Sequence, residues 1–280
     1  MTTDLKSWVG RREEMHEVIS PTPMSLLAVT LDSDAPASAL GDPIPIPWHW
    51  LYFLPDAQRS DLGSDGHPLR GLFLPPVRLK RRMFAGGSIT VHRPLRLGQS
   101  ATLTREIKSV ERREGRTGPL VFVTIEIDIT GPEGLALSET QTIAYTDAPP
   151  EVASGPSEEI LASPWQSEVT TDSVLLFRFS AITFNSHRIH YDDLYARQEE
   201  GYPGLVVQGP LIALLLTELA RNHGINGRQL RFRMLAPIIV GDVVRLRGTP
   251  TPKGADLVAH VSSGAVAVRA TVLGDAGKKP

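Results

Sequence analysis

The chain has 280 residues, 41% of them hydrophobic, enough to bury a sizeable core in one large or two ordinary domains without disulfides or metals. Lysine plus arginine (29) nearly balance aspartate plus glutamate (31), and a net charge of −2 gives no electrostatic reason to expect nucleic acid or an anionic membrane as a partner. The absence of cysteine excludes a disulfide framework, thiolate metal sites and cysteine nucleophiles, and is compatible with a reducing compartment.

In chain order, the first segment, MTTDLKSWVGRREEMHEV, is amphipathic but mixes acids with bases and lacks the apolar run of a signal peptide. Residues 20–31, SPTPMSLLAVTL, form a short helix candidate led by serine and proline. The run Lys80, Arg81, Arg82 either meets the phosphates of a nucleotide-bearing ligand or forms a solvated loop, the second being the favoured reading. At 89–99 the stretch ITVHRPLRLGQ reads as a strand, a proline-marked kink and a glycine turn, and alternating segments follow at 103–108, 120–129 and 137–145. Residues 149–164, rich in proline, serine and acids, have the composition of an exposed linker. The second half holds a long helix candidate at 209–224, with Pro210 in its first turn and Gly224 at its end. FRMLAPIIVGD follows at 232–242, then strand segments at 243–247, 257–261 and 265–272.

The two strand–kink–turn stretches lie at an offset of 143 residues, matching Pro94 to Pro237 and Gly98 to Gly241. Two similar halves follow, 1–148 and 165–280, joined by the linker 149–164. The helix at 209–224 is apolar on most sides, so it must be buried on most sides, wrapped by a curved sheet. With 20–31 as its shorter counterpart, the expected fold is α+β, a double hotdog of two antiparallel sheets, each around a central helix. The apolar run 211–216 is far too short to span a bilayer, so no membrane association is expected and the protein reads as cytoplasmic.

No phosphate loop, dinucleotide fingerprint, nucleophile elbow or H-E-x-x-H motif is present. What stands out is FSAITFNSHRIHYD at 179–192, a dense polar set that follows a strand candidate and precedes the most apolar helix. Hydration of an enoyl thioester asks for such a set. A histidine, His190 or His187, can exchange protons near neutrality, and Asn185 can orient a water without taking its proton. Because Pro210 has no N–H, the free donors at the helix start are the amides of Gly209, Leu211 and Ile212. Gly209 is favoured to hold the thioester oxygen, since glycine permits close approach.

FSAITFNSHRIHYD followed by GYPGLVVQGPL resembles the MaoC-like hydratase/dehydratase family, within it the branch of mesaconyl-C4-CoA and itaconyl-CoA hydratases and mitochondrial-type 3-hydroxyacyl-thioester dehydratases. WHWLYFL (48–54), GLFLPP (71–76), RMFAGG (82–87) and GRTGPLVFV (115–123) are similar to the N-terminal part of that branch. In the wider family an aspartate precedes the catalytic histidine by five positions; here Asn185 stands for the aspartate, His190 matches the histidine and His187 falls where asparagine is usual. The resemblance implies a double hotdog with Asn185 and His190 as catalytic residues. It also implies an acyl-CoA or acyl-carrier-protein thioester as substrate and no cofactor.

Arg188 has the planar fork to bind a substrate carboxylate or a CoA phosphate, and a structural ion pair is the other reading. Trp48 and Trp50 either line an acyl channel or belong to the core. His187, His190 and Asp192 are metal-ligating types, but the sequence places no fourth strong ligand, so no metal is expected. The leading expectation is a C5 dicarboxylic enoyl-CoA hydratase giving citramalyl-CoA. A fatty-acid-synthesis dehydratase comes next, then a thioesterase, and a non-catalytic acyl-thioester-binding protein stays open through Asn185. A homo-oligomer is compatible with this family.

Overall fold

The computed structural model describes residues 4–33, 38–151 and 163–276; most of the proposed linker lies outside them. The strands are β1 (Arg12–Val18), β2 (Arg81–Val91), β3 (Ser100–Gly115), β4 (Gly118–Gly131), β5 (Gly134–Thr146), β6 (Trp165–Thr170), β7 (Ile225–Met234), β8 (Val243–Thr251), β9 (Gly254–His260) and β10 (Val266–Ala276). The helices are α1 (Pro21–Thr30), α2 (Ser173–Ile182), α3 (Asp193–Gln198) and α4 (Gly209–Asn222). The expected strand segments coincide with strands, 257–261 and 265–272 overrunning β9 and β10 by one residue each, because each alternates apolar and polar residues over a half-buried sheet.

The strands form one ten-stranded sheet in the order β1-β3-β4-β5-β2-β7-β10-β9-β8-β6, not two separate sheets. The halves meet edge to edge where β2 pairs antiparallel with β7, Gly87 opposite Phe232 and Ile89 opposite Leu230. That joint removes the edge each half-sheet would otherwise expose. The fold is still a double hotdog, and the sequence repeat is visible in its backbone. Gly98 and Gly241 turn with φ of 87° and 89°, a conformation glycine adopts without steric cost. The amide of Ile44 bonds the carbonyl of Leu95 and that of Val207 bonds Ile238, both at 2.8 Å.

α4 is buried nearly all round and packs against β6 to β10, with Leu211, Ile212, Ala213, Leu216 and Ala220 fully out of solvent. Each large aliphatic side chain so buried contributes roughly 1.5–3 kcal/mol. The first half departs from the expectation at this point. α1 forms where 20–31 predicts a helix, but it packs on α2, and the equivalence of Ile19 with Thr171 makes it the counterpart of α2. Where α4 should have a counterpart, beyond Ile44, the chain makes one 3-10 turn, Trp48–Leu51, and then leaves the helical path. The core of this half is filled instead by Trp48, Leu51, Tyr52, Phe53, Phe73 and Val77. Apolarity marks α1 for burial without saying against which surface.

Candidate active site

The freed chain, residues 52–80, crosses to the second half and lies on the loop between α2 and α4. α2, capped by Asp172 through the amide of Leu175 at 2.7 Å, ends at Ile182, and two residues on Phe184 takes φ of 47°. A bulky residue in the left-handed region costs about 1 kcal/mol or more and turns the chain sharply into Asn185. FSAI of the polar motif is therefore the last turn of α2, and the loop proper begins at Thr183. The crossing segment holds this loop by its backbone: Arg188 N–H donates to Asp65 O at 2.9 Å and the Ser186 hydroxyl donates to Gly66 O.

His190 is 7% exposed, on the 3-10 turn Arg188–His190. Its Nδ1 lies 2.7 Å from Val206 O, and since a carbonyl can only accept, Nδ1 carries the proton and Nε2 keeps its lone pair. Burial pushes its pKa down to about 4, partly opposed by that carbonyl. His187, equally buried, is pushed down to about 2, first by burial and then by the His190 and Arg82 charges. The two rings meet edge to face at 5.4 Å, and His67 from the crossing segment lies over His187 at 4.3 Å. Both loop histidines are therefore neutral at physiological pH, and His190 presents an unprotonated nitrogen.

Asn185 Oδ1 accepts the backbone N–H of His187 at 3.1 Å, which fixes the side chain, and its amide NH₂ has no acceptor among the described residues and is free to donate to a ligand. At the start of α4, the amides of Leu211 and Ile212 both turn back to Gln208 O, at 3.1 and 3.4 Å, while that of Gly209 has no acceptor among the described residues. Gln208, fully buried, donates to Leu176 O and Ser180 Oγ at 2.9 Å and so ties this helix start to α2. A side chain at 209 would press on the Met234 thioether, so the glycine lets Met234 pack close against the helix start.

Arg188 spends its fork on Asp192 (2.7 and 3.1 Å) and Ser64 O (3.0 Å), the structural ion pair of the two readings. The basic run is not a solvated loop: Arg81 and Arg82 begin β2 with side chains nearly out of solvent. Their burial follows from the pairing of β2 with β5, which no local pattern reveals. Trp50 packs edge-on against Phe84 and Phe232, at 6.4 and 5.6 Å, beneath the β2–β7 joint. A cleft of about 760 Å³ opens between the crossing segment and the loop, lined by Asp65, Arg70, Lys80, Arg188, Tyr195 and Glu200 among others. Neither Asn185 nor His190 lines it, so the cleft adjoins the histidine group without containing it.

Residues 47–240 match the family model of hydroxyacyl-thioester dehydratase type 2. The chain belongs to that family. Within it, the chain is 44% identical over 280 residues to mesaconyl-C(4)-CoA hydratase of Chloroflexus aurantiacus, covering 97% of this chain and 98% of the relative. It is 28% identical over 268 residues to the mitochondrial hydroxyacyl-thioester dehydratase type 2 of Schizosaccharomyces pombe, covering 83% and 88%. The crystal structure of HtdX of Mycobacterium tuberculosis superposes with a TM-score of 0.69 at 17% identity, covering 95% of this chain and all of the other, a likeness of fold. As a hydroxyacyl-thioester dehydratase type 2 relative, the protein is a hydro-lyase with the MaoC-like double hotdog.

Proposed function

We propose that this hydro-lyase adds water reversibly to a C5 dicarboxylic enoyl-CoA, mesaconyl-C4-CoA or itaconyl-CoA, to give citramalyl-CoA. The observation that carries the reaction type is His190, neutral, buried and held by Val206 with Nε2 free; the substrate rests on the end-to-end likeness to a mesaconyl-C(4)-CoA hydratase. With mesaconyl-C4-CoA, whose double bond is conjugated to the thioester, Nε2 takes a proton from water as the hydroxyl bonds to the β-carbon, and the Gly209 amide holds the thioester oxygen as enolate charge develops. The imidazolium returns its proton to the α-carbon. Asn185 fixes the water through its NH₂, its carbonyl being held by His187. The adjoining cleft, of a size that suits small ligands, receives the CoA arm. A cytoplasmic location and a place in mesaconate or itaconate metabolism are parts of the same proposal.

The test is loss of enoyl-thioester absorbance across a series from crotonyl-CoA to decenoyl-CoA together with the two C5 dicarboxylic thioesters. The highest kcat/KM is expected for a dicarboxylic substrate. Preference for the longer monocarboxylic chains would assign the protein to fatty-acid synthesis, and tight binding without turnover would make it a thioester-binding protein.

A further inference from the structure

Four arginines surround the cleft and the histidine group, and three have their terminal nitrogens spent. Arg70 donates to the carbonyls of Val77, Leu79 and Lys80, Arg81 to those of Glu200 and Asp147, and Arg188 to Asp192 and Ser64. Arg82 differs. Its side chain is 7% exposed, yet its Nε and Nη2 have no hydrogen-bond partner, and the nearest carboxylate, Asp65 Oδ2, stands at 3.6 Å, too far for a hydrogen bond. A buried guanidinium with unspent donors is costly unless an anion arrives to use them.

The surroundings say where that anion would lie. Arg82 stands opposite Tyr145 on β5, whose buried hydroxyl faces the Arg82 guanidinium and has no other partner among the described residues, and two residues before Phe84, which packs on Phe232 at the joint of the halves. Asp65, its distant counter-charge, accepts the backbone N–H of His67, which lies on His187, which meets His190. A positive charge close enough to act on His187, whose ring meets that of His190, and with open donors suits a carboxylate attached to the carbon that water attacks. Mesaconyl-C4-CoA carries its free carboxylate on that β-carbon, where the negative charge would otherwise oppose the incoming oxygen.

We propose that Arg82 is the residue that binds the free carboxylate of the substrate, with the Tyr145 hydroxyl as a second donor, and so selects a dicarboxylic thioester over a monocarboxylic one. The proposal rests on the hydratase reading above. Its planar fork matches a carboxylate bidentately, which an ammonium cannot do.

The experiment compares mesaconyl-C4-CoA with 3-methylcrotonyl-CoA, which replaces the carboxylate by a methyl group, in wild type, Arg82→Gln and Arg82→Lys. Arg82→Gln should lower the kcat/KM ratio of the first substrate to the second by about a hundredfold, mainly through KM, and Arg82→Lys should restore part of it. Equal losses on both substrates, or an unchanged ratio, would overturn the assignment. Calorimetric binding of succinyl-CoA against butyryl-CoA separates this failure from that of the function. Wild type that prefers succinyl-CoA, with the preference lost in Arg82→Gln, supports Arg82 even if another dicarboxylic thioester proves to be the substrate. No preference in wild type defeats it.

Discussion

At the scale of single residues the proposed site rests on neutrality. His190 and His187 are held far below the usual imidazole pKa by burial, so the folded protein resists protons that the unfolded chain accepts below about pH 6.5. Stability is therefore fully present above that pH and falls as pH is lowered toward 4, with His190 contributing a slope of up to about 1.4 kcal/mol per pH unit. Thermal melts from pH 7.5 to 4.5 should show the decline, and His187→Asn should make it shallower; an unchanged slope would mean that the histidines titrate normally. His190→Ala should reduce kcat by about a hundredfold or more while the melt at neutral pH still shows a folded protein. Near-normal turnover would remove His190 from proton transfer. Asn185→Asp keeps the acceptor for His187 N–H but replaces NH₂ with a charged oxygen, so hydration should fall at least tenfold. Activity equal to or above wild type would show that the asparagine does not act as a donor. The sequence marks these residues as candidates because polar side chains so close to the most apolar helix need a chemical reason. The tautomer of His190 was not legible there, since it depends on a carbonyl sixteen residues downstream. Arg82 was misread for the same reason, its burial being a matter of strand register.

At the scale of elements the site depends on a segment from the other half. Residues 52–80 have little regular structure, yet Asp65 O accepts the backbone N–H of Arg188 and Gly66 O the hydroxyl of Ser186 in the candidate loop, and Gly66 turns with φ of 85°. A methyl group at position 66 would overlap the Ser186 carbonyl, so Gly66→Ala must push the loop away. Gly10 has a similar φ of 87° with open space around it, which makes Gly10→Ala a control for backbone strain alone. Backbone strain should cost each variant on the order of 1 kcal/mol, and Gly66→Ala should lose more because of the added overlap. Only Gly66→Ala should lose kcat/KM, by tenfold or more, because displacements near 1 Å at a reacting group are costly. Equal kinetics in the two would show that the crossing segment is packing and not support. The strands were legible through their alternation, as was α4 through its all-round apolarity. The path of the crossing segment was not, because a chain without periodicity carries no signal of what it will touch.

At the scale of the molecule the question is whether a duplicated fold carries duplicated chemistry. The backbone equivalences align residues 31–43 with the catalytic loop, 183–206: Pro43 bridges Arg96 as Val206 bridges Ile239, at the repeat offset. The first-half stretch is about half as long and contains no histidine. Beyond it the helix that would offer a free amide at its start is reduced to Trp48–Leu51. The room a substrate would need is also taken. Trp50 and His49 donate to Glu139, whose carboxylate also accepts from Gln141, and Trp48 donates to Glu218 of α4 at 2.8 Å. The cavity left beside His49 is about 10 Å³, at the lower limit for a single water and far too small for an acyl group. The first half should therefore act as the wall that supplies residues 52–80 and Arg82. Titration calorimetry with a non-hydratable acyl-CoA analogue is expected to give one ligand per chain, the heat vanishing or weakening when Asn185 and His190 are changed. His49→Gln should leave kcat and KM where they are, because its partner Glu139 lies in packing and not in a site. A stoichiometry of two, or hydration that survives loss of His190 but not of His49, would place chemistry in the first half as well and overturn the division of labour between the halves.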